Sequence, residues 1–253
     1  MKKLMNPKFN HLSEWVDSFL EDGYFELHGE LLYDVGRNVV KRFQQGGVDV
    51  VVKRFRQITA FNRFIYATFR ESKAIRAYRY ASHLRAMGIF TPEEIAVLET
   101  YVHGMLADSY FISLYSPANS LSFLQEFTFE KKEWFPLLDN LANWIFGIHD
   151  KGIIHQDLNV SNILYQDKKN GDGAFQLIDN NRMKFRRNLS VEERLKDICR
   201  LSTNLELHLY VLKKYVELMP YDGQRIKMKG CFYKLMFECR QMAKRKMKRM
   251  IAS

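Results

Sequence analysis

The run His155-Gln156-Asp157-Leu158-Asn159-Val160-Ser161-Asn162 reads H-x-D-x-x-x-x-N, and Asp179 closes the apolar run Leu177-Ile178 seventeen positions after Asn162. Transfer of a phosphoryl group needs a carboxylate that orients an acceptor hydroxyl and takes its proton. It also needs an amide and a second carboxylate to hold Mg²⁺ against the phosphates of ATP. Asp157 suits the first task as catalytic base, and Asn162 and Asp179 suit the second as metal ligands. The spacing predicts a loop that carries Asp157 and re-enters a strand at Ile163-Leu164-Tyr165. A hairpin over 166–174 then leads to a strand over 175–178. An isolated H-x-D arises readily by chance; the added Asn and strand-borne Asp make this block specific.

Upstream elements must supply the nucleotide contacts. Two short strands around a turn are expected over 30–43, and a Val-rich strand over 48–55. Gly36 lies in the first turn, where a phosphate cradle would sit, although one glycine is fewer than such a cradle usually carries. Lys53, within Val50-Val51-Val52-Lys53, is the candidate for the ATP lysine, with Lys41 as its competitor. A helix is predicted over 72–87, closed by Gly88. Glu71 at its start is the carboxylate available to hold Lys53, or else simply a favourable charge at the helix N-terminus. Strands over 94–101 and 109–114 would complete a five-stranded antiparallel sheet, followed by a hinge at 114–117. Trp134, Leu137, Leu138, Leu141, Trp144, Ile145 and Ile148 repeat at helical spacing, so the tryptophans belong to a core helix. The expected fold is therefore α+β, two-lobed and protein-kinase-like. Its N-terminal ATP-binding lobe spans 1–115, and a mainly helical C-terminal lobe over 116–253 ends in a basic helix.

Composition fits this reading. A chain of 253 residues with 47% hydrophobic content can bury a sizeable core. Three cysteines, Cys199, Cys231 and Cys239, show no metal spacing or disulfide framework, so a reducing compartment is expected. The opening residues are basic with no apolar stretch behind them, and no run is long and apolar enough to span a membrane. The expectation is a cytoplasmic protein, with attachment to the inner face of the inner membrane as a variant. The net charge of +10 concentrates at 41–56, 182–187 and 240–249. The last stretch carries six bases and no acid, either as a solvated helix or as a contact for an anionic membrane surface, with Met242, Met247, Met250 and Ile251 as a thin apolar stripe. Nucleic acid would match the charge, but no reading motif accompanies it.

The motifs Val51-Val52-Lys53, Ser72-Lys73-Ala74, Gly88-Ile89-Phe90-Thr91-Pro92-Glu93, Ser109-Tyr110-Phe111-Ile112-Ser113 and Ile178-Asp179-Asn180-Asn181-Arg182, with the catalytic block, resemble the lipopolysaccharide kinase family. These are the Kdo/heptose kinases acting on inner-core sugars of Gram-negative bacteria. The resemblance covers roughly 34–201 and implies Asp157 as base, Lys53 as ATP lysine, Asn162 and Asp179 as metal ligands, and ATP and Mg²⁺ as cofactors. It also implies an anionic glycolipid acceptor, Kdo-lipid A or inner core. That acceptor gives Arg182, Arg186 and Arg187, beside the metal aspartate in sequence, a role in substrate binding.

Departures from protein kinases favour a glycan or small-molecule hydroxyl. Gln156 replaces the Arg of H-R-D, Asn159 replaces the usual Lys, and Asp179-Asn180-Asn181 replaces D-F-G. Ile75 occupies the helix position that often carries Glu, which leaves Lys53 dependent on Glu71. The alternatives are a kinase of another small-molecule or protein hydroxyl, and a membrane-surface pseudokinase without turnover.

Overall fold

The run Val48–Phe55 is half valine, a composition suited to a pleated, partly buried surface, and it forms β4 near the middle of a six-stranded sheet. The computed structural model describes residues 1–35, 38–55, 71–167, 174–220 and 222–252. Two compact units emerge: Met1–Pro117 with Gln176–Arg182, and Ala118–Phe175 with Met183–Ser253. The sheet belongs to the first. Its strands are β1 (Lys2–Met5), β2 (Glu30–Val35), β3 (Asn38–Gln45), β4, β5 (Glu94–Val102) and β6 (Met105–Leu114), in the order β1-β5-β6-β4-β3-β2. Every neighbouring pair is antiparallel.

Five strands were expected, and β1 makes six. It pairs with β5 from Lys2↔Glu99 to Met5↔Ala96. Four residues that open on two lysines show no strand periodicity. The edge is secured by tertiary contacts instead, with Lys3 Nζ donating to Ser13 O (2.9 Å), Ser13 Oγ (2.7 Å) and Asp17 Oδ1 (2.7 Å).

Side chains alternate along β4 with period two. Val50 and Val52 enter a core with Phe43, Ile95, Leu98 and Tyr110, which Trp15, Phe19 and Phe25 complete. Those aromatics come from the short helices α1 (Ser13–Asp17) and α2 (Tyr24–Leu27) and the turn between them. Phe55 joins Ala74, Ile75 and Val97 in a second core under α3 (Lys73–Ala86). Lys53 shares the parity of Phe55, and its ammonium lies 5.2 Å from that ring. The helix expected over 72–87 forms, and Ser72 caps it, its hydroxyl accepting from Ile75 N at 3.1 Å. Gly88 closes the helix in the left-handed conformation at φ 73°.

In the second unit, α4 (Phe135–Asp150) carries the predicted apolar repeat and buries Leu138, Leu141, Ala142, Ile145 and Ile148. Trp134 packs on Phe123 and Trp144 on Phe175, so both tryptophans are structural. Strand β7 (Asn119–Ser120) pairs with β9 (Ile163–Gln166), and β10 (Ala174–Leu177) flanks β9. Between α4 and β8 (Ile153–Ile154), Gly152 has φ +78°, and a Cβ there would lie 1.8 Å from the Arg186 carbonyl oxygen. Only glycine lets β11 (Lys184–Phe185) close on β8 at this point. Next come α5 (Val191–Ile198), opened by a Ser190–Glu193 capping box, and α6 (Leu205–Glu217).

The last helix, α7 (Gly223–Ala252), packs on α5 and α6. Gly230 permits the approach, since a Cβ there would sit 2.7 Å from the Leu212 side chain. Lys234 is buried in the contact and donates to Cys199 O at 3.3 Å, to Ser202 O and to Glu238 Oε1 at 2.6 Å. Burial, and then the charge of Lys234, push the His208 imidazole down to about 4. His208 is thus neutral when folded and protonates on unfolding below its usual value near 6.5. Its stabilising contribution is therefore full above about pH 6.5 and is lost as pH falls toward 4, at ~1.4 kcal/mol per unit. Replacing His208→Leu should make the loss of stability between about pH 7 and about pH 4.5 shallower by about 2–3 kcal/mol in chemical denaturation.

Candidate active site

The residues singled out in the sequence are divided between the two units. In the first, Lys53 Nζ meets Asp179 Oδ1 at 2.8 Å, joining positions 126 apart in sequence, with both side chains mostly buried. Asp179 has a left-handed backbone at φ 58°, a conformation that costs a non-glycine residue about 1 kcal/mol or more. Its Oδ1 also accepts from Asn181 Nδ2. Asn180 donates to Thr91 Oγ1 at 2.9 Å, and Leu177 N donates to Phe90 O at 3.0 Å. The Ile89–Pro92 segment therefore seats the stretch that carries Asp179. Lys41, the competing lysine, donates to the carbonyls of Phe25, Glu26 and His28 at 2.7–2.9 Å, and so caps α2.

The expected Lys53–Glu71 pair does not form. Glu71 binds Arg79 on the exposed side of α3, and Ile75 is buried between Phe55 and Val97. A side chain at the very start of a helix reaches its own following turns more readily than a strand across the sheet. Gly36 lies outside the described residues. At the expected hinge, Leu114 N and Tyr115 N donate to Glu93 O and Asp49 O, both at 2.8 Å, so these two amides serve the fold.

In the second unit the loop that carries Asp157 hangs on a residue the sequence reading passed over. Asp197, on α5 and 1% exposed, accepts from His155 N and Gln156 N, both at 2.8 Å. Burial alone would raise its carboxyl. The His149 hydrogen bond and the charges of His149 and His155 outweigh it and hold Asp197 below the usual carboxylate range. His149 Nε2 lies 3.4 Å from Asp197 Oδ2, and its Nδ1 lies 2.7 Å from the Tyr215 hydroxyl. This clamp keeps Gln156 at φ 63° and turns the chain so that Asp157 follows in the loop. Beyond it, Asn159 Oδ1 accepts from Ser161 N at 3.0 Å, and Val160 N donates to Leu201 O at 2.9 Å. Asn162 Nδ2 donates to Asp157 O at 3.0 Å, which leaves its carbonyl oxygen without a protein donor among the described residues.

The model for the lipopolysaccharide kinase (Kdo/WaaP) family matches residues 34–221. The chain belongs to that family. Family members are kinases of lipopolysaccharide biosynthesis, which makes the protein a transferase. Among solved structures, the fold is similar to one described as WaaP in complex with acyl carrier protein, with a TM-score of 0.61 and 16% identity over 96% of this chain and 99% of that one. No curated protein matches the chain by sequence. At that identity the structural likeness establishes the fold, a kinase-like one, while the family match establishes the chemistry class.

Each unit by itself offers oxygen donors of the kind Mg²⁺ takes. Among the described residues no group of three or more His, Cys, Asp or Glu side chains gathers as an all-protein cage. Mg²⁺ typically takes one or two protein oxygens and completes its shell with phosphates and water. The Asp179 carboxylate and the Asn162 amide oxygen are oxygen donors of that kind. Of the expected anion-binding bases, Arg182 is exposed in the first unit, and Arg186 and Arg187 are exposed in the second, with Arg186 Nε 3.9 Å from Glu193. Asp197→Asn would turn a donor toward a backbone N–H. It should cost about 2–4 kcal/mol and speed amide exchange at His155 and Gln156 ahead of the rest of the unit. Unchanged exchange at those two amides would remove the clamp assignment.

Proposed function

We propose that this chain transfers the γ-phosphoryl group of ATP to a sugar hydroxyl, Kdo or heptose, of the lipopolysaccharide inner core. Asp157 orients that hydroxyl and takes its proton. Lys53 neutralises charge on the α- and β-phosphates, and Asn162 and Asp179 would hold Mg²⁺. When bound, the cation supplies charge neutralisation on the transferring group. Arg182, Arg186 and Arg187 bind the anionic glycolipid acceptor by charge-assisted contacts.

The observation that carries this reading is the Lys53–Asp179 pair. A strand lysine and the aspartate after the catalytic loop are the two groups that kinase chemistry requires beside the nucleotide phosphates. The buried Ile75 favours a second reading, a non-catalytic binding module, because α3 then offers Lys53 no acid.

Phosphate transfer from labelled ATP to lipid A–Kdo and to heptose-bearing cores separates the two readings. Asp157→Ala should lower kcat by roughly three orders of magnitude while nucleotide affinity stays near wild type. No turnover by the wild-type chain on any core acceptor would leave the binding module. The double change Arg186→Ala with Arg187→Ala should raise KM for the lipid-linked acceptor by roughly tenfold while KM for ATP stays unchanged. Equal effects on both constants would remove these residues from acceptor binding.

A further inference from the structure

Helix α7 has two apolar faces, and only one of them is covered. Ile226, Gly230 and Lys234 are buried along one side, against α5 and α6. At 100° per residue, Met228, Phe232, Leu235 and Met242 step by four and three along the opposite side. They are exposed at 68%, 58%, 61% and 57%. A solvated helix would place polar residues there. Cys239, also exposed, fills the remaining place in the stripe.

Charge selects the occupant. Over 223–252 there are ten Lys and Arg against one acid, Glu238. That acid is paired with the buried Lys234. A second copy of α7 would set like charge against like along the whole stripe. The helix is also not long and apolar enough to cross a bilayer. An apolar stripe flanked by bases such as Lys227, Lys229, Arg240 and Arg245 suits a helix that lies in the plane of an anionic lipid surface.

We infer that α7 docks this protein on an anionic bilayer, with Phe232 and Leu235 entering the acyl boundary and the flanking bases meeting the headgroups. The side chains placed in that contact centre on 228–242, earlier in the helix than the methionines the sequence suggested. The inference stands on the second unit alone and does not depend on the acceptor assigned above.

The test is co-sedimentation of the full chain with vesicles of phosphatidylcholine alone or with added phosphatidylglycerol. The wild-type chain should partition onto the anionic vesicles at least roughly tenfold more than onto neutral ones, less so as salt rises. Phe232→Ser with Leu235→Ser should lower that partition roughly tenfold with an unchanged thermal midpoint. Lys244→Glu with Arg245→Glu should lower it and flatten its salt dependence. Equal binding to both vesicle types, or no loss in the serine pair, would overturn the docking face. So would a wild-type dimer that the serine pair turns into a monomer, or capture of an acidic amphipathic protein without vesicle binding. None of these readouts measures turnover, so failure of the kinase assignment is scored separately.

Discussion

A carboxylate sealed from water stays ionised only if hydrogen-bond donors and positive charge replace its hydration. Asp197 meets that condition with the backbone amides of His155 and Gln156 and the His149 ring. The same bonds that satisfy Asp197 fix the path of the chain into Asp157. The rest of the second unit is arranged around this requirement. The apolar repeat of α4 positions His149, the capping box starts α5 in register, and Gly152 admits the neighbouring strand.

The first unit solves a matching problem by other means. Protein kinases commonly hold the strand lysine with a helix glutamate, and here Ile75, the residue expected at that helix position, is buried. Lys53 is held by Asp179 instead, which arrives by a return of the chain from the second unit. The left-handed turn at Asp179 is anchored by Asn180 on Thr91 and by the backbone bond from Leu177 to Phe90. The Thr91-Pro92 motif, part of the family resemblance, thereby has a physical role.

What the sequence showed was what local pattern encodes. The Val-rich strands, the span of α3 with Gly88 at its end and the apolar repeat of α4 all follow from periodicity and end signals confined to a few residues. The short basic β1 escaped because its pairing is made by Glu99 and its neighbours, far along the chain. Asp197 escaped for a similar reason. In sequence it is one acid in an amphipathic helix, and only burial beside residues some forty positions earlier distinguishes it. Glu71 was misjudged because composition offers a carboxylate without saying which cation it can reach; Arg79 on the same helix is the nearer one. The apolar side of α7 was hidden by a sequence in which both faces carry methionine and aromatic residues.

The chain passes from one unit to the other after Pro117, returns at Gln176 and leaves again after Arg182. Dissection of the protein into contiguous fragments is thereby precluded in a specific way. A fragment cut at residue 117 would keep the whole six-stranded sheet yet strand its lysine without a counter-ion, since Asp179 would remain on the discarded piece. A faithful minimal version of that unit would have to graft the seven residues Gln176–Arg182 back onto it through an engineered connection.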